Sequence, residues 1–362
     1  MLKEFDTPAL VLNLEVMEKN LRRMSTLAKE SGIKLRPHIK THKSPYIALK
    51  QIEYGATGIT VAKLGEAEVM SRHGIKDILV AYPIIGEKKL ERLKALAKEV
   101  NIITSLDSVE VGEGINRVGT ELRKEMQVYV EVNTGLNRIG KDKENTVELI
   151  ERLAGFEYVT IKGLMTHAGH SYKTKNKEQL QEISVQEGEY LVATQRLVKE
   201  KLGIDIPEIS VGSTPTSYMG HQVAGVTEMR PGTYVFNDGT LIELGLIDEK
   251  DCALTIVSTV VSKPDRNRVI VDAGSKTLSS DKGGFNQGFG LVKNKDVYVS
   301  WLSEEHGVIE SMDVGANIQI GEVVEIIPNH VCPTVNLADE LIGYREGKIE
   351  RFIQVEARGK NK

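Results

Sequence analysis

Two cysteines, Cys252 and Cys332, are all that the 362 residues contain. That is too few for a disulfide framework at this length, and a reducing compartment, the cytoplasm, is the expectation. No stretch approaches the uninterrupted apolar length of a membrane span. The opening "MLKEFDTPALVL" has no charged region followed by a long apolar run, so a signal peptide is not expected. Net charge is small, -4, which sets up no field toward nucleic acid or an anionic membrane surface. Low-complexity tracts are absent. What remains is an ordinary globular composition, 40% hydrophobic and 27% charged. The length suits two domains, or one large barrel with an appendage.

After a strand-like "ALVLNL" a rhythm sets in. Short apolar or β-branched runs alternate with longer helical patterns such as "EKKLERLKALAKE" and "KEQLQEISVQEGEYLVATQRLVKEKL". The runs are "KLRPHIK", "GITVAK", "DILVAYP", "NIITSLD", "MQVYVEVN", "VTIKGLMTH", "EISVGS" and "RPGTYVF". Eight strands alternating with helices predict a (β/α)8 TIM-type barrel, with a doubly wound open sheet as the competitor. From about Leu246 the helices stop. "CALTIVSTVVS", "RVIVDAG", "DVYVSWL", "EVVEIIP" and "IERFIQVEA" predict a smaller, mostly antiparallel β domain. The expected boundaries are 15–240 for the barrel and 1–14 plus 241–362 for the β domain.

Five local patterns carry chemistry. In "LRPHIKTHKS", Arg36, His38, Lys40 and His42 share one face if the backbone is extended. Lys40 then ends the first barrel strand at the face where such barrels place active sites. A desolvated lysine there has a lowered pKa and condenses with a carbonyl cofactor; the plainer alternative is a solvated surface lysine. Arg36, deep in the barrel, needs a carboxylate, and Glu131 on the fifth strand is the expected partner. "VGSTPT", with Gly212, Ser213 and Thr214, lets backbone approach an anion, or is simply a helix cap. "EMRPGTYVF" adds Arg230 and a second close approach at Gly232. "NTGLNRIG" places Arg138 above the barrel mouth, against a phenolate or carboxylate, or in a salt-bridged loop. Finally "PNHVCP" sets His330 and Cys332 two residues apart, on one face if extended. Imidazole and thiolate suit a divalent metal, and a thiolate leans toward zinc; a buried pair without metal is the alternative.

Taken in order, "RPHIKTHK", "NTGLNRIG", "GSTPT", "RPGTYVFND", "SEEHG" and "PNHVCPTVNL" make the chain resemble, over essentially its whole length, the fold-type III pyridoxal-phosphate enzymes. These pair an alanine-racemase-like barrel with a β domain, and within that class the chain resembles the D-threonine aldolase and D-serine dehydratase family. The resemblance implies pyridoxal 5'-phosphate on Lys40, with Gly212, Ser213, Thr214, Gly232 and Thr233 around its phosphate. Arg138 falls near the ring oxygen, and Tyr172 or Arg230 near the ring nitrogen. By position, His42 lies just beyond the rim as an acid–base or substrate-touching residue, and Lys43, on the opposite parity, is not expected to be the cofactor's lysine. His330 and Cys332 hold a divalent metal, zinc favoured and manganese the alternative, with His306 and Asp339 in support. A homodimer and a D-amino acid substrate follow from the same resemblance.

Two reactions fit a D-3-hydroxy amino acid on such a site. Retro-aldol cleavage gives glycine and an aldehyde. Dehydration gives a keto acid and ammonia. The motif set as a whole leans narrowly to aldol cleavage of D-threonine-like substrates. His-x-Cys leans to dehydration of D-serine or D-3-hydroxyaspartate, because some family aldolases carry a carboxylate in the second position. An amino-acid racemase lacks its second acid–base tyrosine motif here. A non-enzymatic pyridoxal-phosphate-binding protein lacks the β domain and the metal pair.

Overall fold

A computed structural model describes residues 4–219, 223–283 and 288–362. β1 (Ala9–Asn13) leads into a helix, Leu14–Glu30. Then follow β2 (Lys34–Leu35), β3 (Ile59–Val61), β4 (Asp77–Val80), β5 (Asn101–Leu106), β6 (Met126–Glu131), β7 (Val159–Met165), β8 (Glu208–Val211) and β9 (Glu228–Met229). These eight strands pair in parallel in the order β2-β9-β8-β7-β6-β5-β4-β3. A parallel bridge between His38 and Thr60 joins the two ends, so the sheet curls into a (β/α)8 barrel. The two helical patterns read from the sequence fold as the helices Glu87–Glu99 and Lys177–Leu202. The second is bounded by an Asn176 side chain that accepts from the Gln179 amide and by Gly203 in the left-handed region. No described helix is long and apolar enough to cross a membrane.

Two strands depart from the sequence expectation. "RPGTYVF" is not the eighth strand; β9 lies just before it. Pro231 has no amide to continue the ladder, the Gly232 amide goes to Thr214 Oγ1, and Thr233–Val235 closes into a 3-10 turn. The first strand also ends early. The amides of Arg36 and His38 follow β9, donating to Met229 and Pro231, but Ile39–Thr41 is a 3-10 turn. His38 Nδ1 accepts from the Lys40 amide at 3.3 Å, and His42 Nδ1 from the Ser44 amide at 3.1 Å. Each ring thus captures the amide two residues on and turns the chain, so the expected alternation ends before Lys40.

The chain divides into two compact units. One, Met24–Lys40, Ile47–Gly232 and Gly359–Lys362, holds the parallel barrel. Its interior layer is Leu79, Ile103, Tyr129 and Met165, from β4 to β7. Gly163 makes room there, since a Cβ on it would lie 2.4 Å from the Tyr129 ring. The other unit comprises Met1–Arg23, Thr41–Tyr46 and Thr233–Arg358. It contains β10 (Leu254–Asp265), β11 (Arg268–Val271), β12 (Gly290–Val292), β13 (Val297–Leu302), β14 (Gly307–Glu310), β15 (Val323–Pro328), β16 (Glu340–Arg345) and β17 (Lys348–Gln354). The antiparallel pairings run β10-β15-β12-β13-β14-β11 and return to β10, closing a ring. β1 adds to β10 antiparallel and to β16 in parallel, the one parallel pairing described in this sheet. The mostly antiparallel β domain is therefore present.

Arg36 lies inside the barrel unit with its side chain 4% exposed. Its partner is Glu228 on β9, at 2.7 Å, together with Asp77 at the start of β4. The expected partner Glu131 is not the one used. Glu228, itself 1% exposed, also accepts from Ser210 Oγ at 2.6 Å and faces the Tyr129 hydroxyl at 3.4 Å. Removing one partner of such a pair strands the other in low dielectric. Arg36→Met should lower unfolding stability by about 3–5 kcal/mol. Asp77→Asn, at a carboxylate one-third exposed, should cost no more than about 1 kcal/mol. Urea unfolding of both variants checks the ranking.

Candidate functional site

In the barrel unit, the sequence-predicted residues gather on the segments that follow the strands. Lys40 sits in the 3-10 turn after β2, partly buried, its backbone fixed by His38. After β8 comes Gly212 with φ +132, where a Cβ would meet the Arg230 amide nitrogen at 2.8 Å. Only glycine fits both that conformation and that approach. Ser213 and Thr216 form a reciprocal capping box, and the loop's hydroxyls are buried. Thr214 Oγ1 accepts from the Gly232 amide at 3.1 Å, so the segments after β8 and β9 meet as expected.

Arg230 is 5% exposed and donates to Ser210 Oγ and to the Thr166 carbonyl. It follows the last strand rather than beginning it. Arg138 is exposed on the loop after β6, and with Glu131, Thr166 and His167 it lines a small pocket. That loop is shaped by Asn133, whose side-chain oxygen accepts from the amides of Gly135 and Asn137. Tyr172 lies in the 3-10 turn Gly169–Lys173 after β7. Ser171 Oγ ties that turn to Ser213 Oγ at 2.9 Å.

The electrostatics of this cluster favour an anion. Burial, then the charges of Lys40, Arg230 and Arg138, hold His38 far below the ordinary imidazole range. The same causes push His167 down to about 3, although its Nδ1 bonds the Gly212 carbonyl at 3.0 Å. Both rings are neutral near pH 7, leaving three cations. Burial raises Glu131 to about 7 against the pull of Arg230 and Arg138. The sequence reading passed over His167, Ser171 and Ser210 as site residues. Only the strand-end position of His167 offered a signal.

The β unit holds a second cluster. His330 precedes the helix Val331–Leu337 and Cys332 lies in its first turn, so a helix start, not an extended run, brings them together. His330 Nδ1 bonds Asp281 Oδ2 at 2.8 Å, and the imidazole also bonds the Cys332 side chain. Asp281 is itself held by the Gly283 amide at 2.8 Å. Burial disfavours the imidazolium, but Cys332, Asp281 and then Asp238 outweigh it and raise His330 to about 11. Negative groups converging on one imidazole make a place for positive charge. Cys332 Sγ lies 3.2 Å from Thr41 Oγ1 and 4.0 Å from Thr233 Oγ1. The supporting carboxylate is thus Asp281, not Asp339, which pairs with Arg358; His306 sits exposed in the turn between β13 and β14. Among the described residues no group of three or more His, Cys, Asp or Glu side chains converges as a complete ligand set.

His42, expected beyond the rim, is in the core. It is 0% exposed, with its ring edge-on to Phe236 at 6.4 Å. Lys43 is buried and donates to Asn336 Oδ1 at 2.8 Å.

Comparison with known proteins bears on both clusters. Residues 12–239 match the family "Alanine racemase, N-terminal domain", and residues 253–344 match "Putative serine dehydratase domain". The D-threo-3-hydroxyaspartate dehydratase of Delftia sp. (strain HT23) is 33% identical over 91% of each chain. The crystal structure of the D-threonine aldolase from Filomicrobium marinum superposes with a TM-score of 0.91, at 29% identity, over 99% of this chain and 97% of that one. Two solved variants of a D-threo-3-hydroxyaspartate dehydratase replace a histidine and, two positions on, a cysteine by alanine. The cysteine variant is in the metal-free form (TM-score 0.90, 29% identity, 98% of each chain); the histidine variant matches with a TM-score of 0.89 at 30% identity, over 98% of this chain and 95% of that one. The barrel, the β domain and these likenesses over nearly the full length have one reading: the chain belongs to the alanine-racemase-like, fold-type III pyridoxal-phosphate enzymes, in the family of the D-threonine aldolases and the D-serine and D-3-hydroxyaspartate dehydratases.

Proposed function

We propose that this protein is a pyridoxal-phosphate- and metal-dependent lyase that dehydrates D-3-hydroxy amino acids to a keto acid and ammonia. The observation that carries the choice of bond is Cys332 beside His330. The same pair of residue types at the same spacing was altered in the dehydratase variants, one of which is described in a metal-free form. Aldol cleavage to glycine and an aldehyde is the second reading, favoured by the likeness to the D-threonine aldolase and by the motif set as a whole.

The barrel cluster fits pyridoxal 5'-phosphate. The Gly212 cradle, which a Cβ would fill, and the excess of cations both suit a phosphate. Lys40 Nζ would hold the aldehyde carbon. Gly212, Ser213, Thr214 and the Gly232 amide would take the phosphate. Arg138 would face the ring oxygen, and Arg230 or Tyr172 the ring nitrogen. Bound, the cofactor supplies an electron sink for negative charge at Cα. Lys40 Nζ, freed when substrate takes its place, would hold the Cα proton. The neutral rings of His38 and His167 add no positive charge beside that amine.

His330 Nε2 and Cys332 Sγ would hold a divalent cation, zinc favoured by the thiolate and manganese the alternative. When bound, such a metal would supply Lewis-acid stabilisation of negative charge on oxygen. Asp281 sets the imidazole tautomer, and two protein ligands leave positions open for water and substrate. Thr233 is read with Cys332, where its hydroxyl lies, and His42 as a ring that fixes the turn after Lys40. Residence in the cytoplasm and a homodimer belong to the same proposal, supported by two free cysteines and by the family.

Lys40→Ala should abolish the visible band that attachment to lysine gives pyridoxal phosphate, and Lys43→Ala should keep it. A band that survives in Lys40→Ala removes Lys40 from the site. With D-serine, D-threonine and D-threo-3-hydroxyaspartate, the products should be keto acid and ammonia, lost on chelation and in His330→Ala. Glycine and an aldehyde in their place would establish the aldol reading. Asp281→Asn should weaken metal affinity roughly 10–100-fold, measured by competition with a chromogenic chelator.

A further inference from the structure

The helix Lys177–Leu202 turns a carboxyl group into the barrel unit at a point that the chemistry above leaves unused. Glu187 is 1% exposed, and among the described residues neither of its carboxyl oxygens has a hydrogen bond of ordinary geometry. A buried carboxylate without firm partners is costly, whereas the neutral acid is tolerated. The groups that face it are the Thr216 hydroxyl and the amides of Gly212 and Ala168, with Arg230 as the charge acting on it. One turn earlier on the same helix, Ser184 Oγ reaches the Thr216 carbonyl at 3.3 Å. On the loop itself, the Gly212 carbonyl is held by His167, a neutral ring. Glu187 thus lies against the Gly212–Thr216 loop, the one that would cradle the phosphate. It is faced by the segment after β7, by the loop after β8 and by Arg230 after β9.

We propose that Glu187 is a positioning residue for the phosphate end of pyridoxal phosphate, and that it carries its proton whenever the cofactor is bound. The inference rests on the pyridoxal-phosphate reading of the barrel cluster. Its argument is charge. A carboxylate against the Gly212–Thr216 loop repels a phosphate dianion. The neutral acid does not, and it still offers an O–H and a C=O to the loop. Burial already lifts the Glu187 pKa to about 7, with Thr216, Arg230 and the two amides opposing only in part. A phosphate on the loop lifts it further, so cofactor binding takes a proton from solvent onto a Glu187 oxygen. Binding and protonation favour each other reciprocally. The affinity gained this way is complete below the cofactor-free pKa and declines as pH rises through it, by at most about tenfold per pH unit.

The test is equilibrium binding of pyridoxal phosphate to the cofactor-free protein, wild type and Glu187→Gln, from about pH 6 to about pH 9. The ratio of the two Kd values cancels the titrations common to both proteins, those of the phosphate and of Lys40. That ratio should rise with pH above about 7, and Glu187→Asp should retain the rise. A ratio that is flat or falls overturns the proposal. Should Glu187→Gln fail to fold, infrared difference spectra of the wild type decide. Holoenzyme at about pH 8 should show a protonated-carboxyl stretch that shifts in heavy water and is absent from the cofactor-free protein. No such band overturns the proposal as well. Failure of the wild type to bind pyridoxal phosphate at any pH is a different result: it overturns the reading of the cluster on which the proposal stands.

Discussion

One buried carboxylate organises the barrel interior. Glu228 takes Arg36 Nε on one oxygen and Ser210 Oγ on the other, with the Tyr129 hydroxyl beside it. Ser210 in turn receives Arg230, and Arg230 also reaches the Thr166 carbonyl. This single network ties the segments around β2, β6, β8 and β9 to the backbone after β7. Its members lie where water cannot replace a lost partner, so each holds the next in one geometry. The arginine at its far end arrives among the candidate cofactor residues already oriented. Rotamer freedom that a solvent-exposed arginine would lose on meeting a ligand has been given up on folding instead.

Much of the fold was legible because its signals are local. The helical patterns from Glu87 and from Lys177 carry their own periodicity, the second also its caps, and they fold where expected. The strand count succeeded because β3 to β8 are short apolar or β-branched runs, while the two-residue strands β2 and β9 lie in or beside the runs read as first and eighth. What failed were register and ends. "RPGTYVF" has the β-branched and aromatic content of a strand, but Pro231 cannot join the ladder and Gly232 gives its amide to Thr214. "RPHIKTHK" has the alternation of a strand, but each histidine captures an amide from its own chain. A hydrogen bond between a side chain and the backbone two residues away overrides a pattern that speaks only of faces.

Legibility of the candidate site divides along the same line. Gly212, Ser213 and Thr214 were visible because backbone approach to an anion demands small residues in a row. Lys40 was visible because it ends a run. Partners distant in sequence were not. Glu131 was a reasonable partner for Arg36 by strand position, yet Glu228 holds it, because β2 pairs with β9 and not with β6. Asp281 supports His330 across a separation of 49 residues, and nothing in "PNHVCP" foretells it. Asp339, nearer in sequence, spends its charge on Arg358 at the surface.

The two clusters are built with opposite polarity, and that contrast is the strongest physical hint to the chemistry. In the barrel unit, Lys40, Arg138 and Arg230 stand among histidines forced neutral and acids whose pKa burial has raised. Such a place pays for itself only when an anion arrives. In the β unit, Cys332, Asp281 and Asp238 converge on His330 and hold a proton there against the cost of burial. A divalent cation in place of that proton would satisfy the same groups with more charge. A lyase of 3-hydroxy amino acids can use both: an anionic cofactor anchored by its phosphate, and a Lewis acid for an oxygen that must leave or be stabilised. A racemase needs only the first. The negative cluster therefore separates the lyase reading from the racemase reading on electrostatic grounds, independently of any count of acid–base residues.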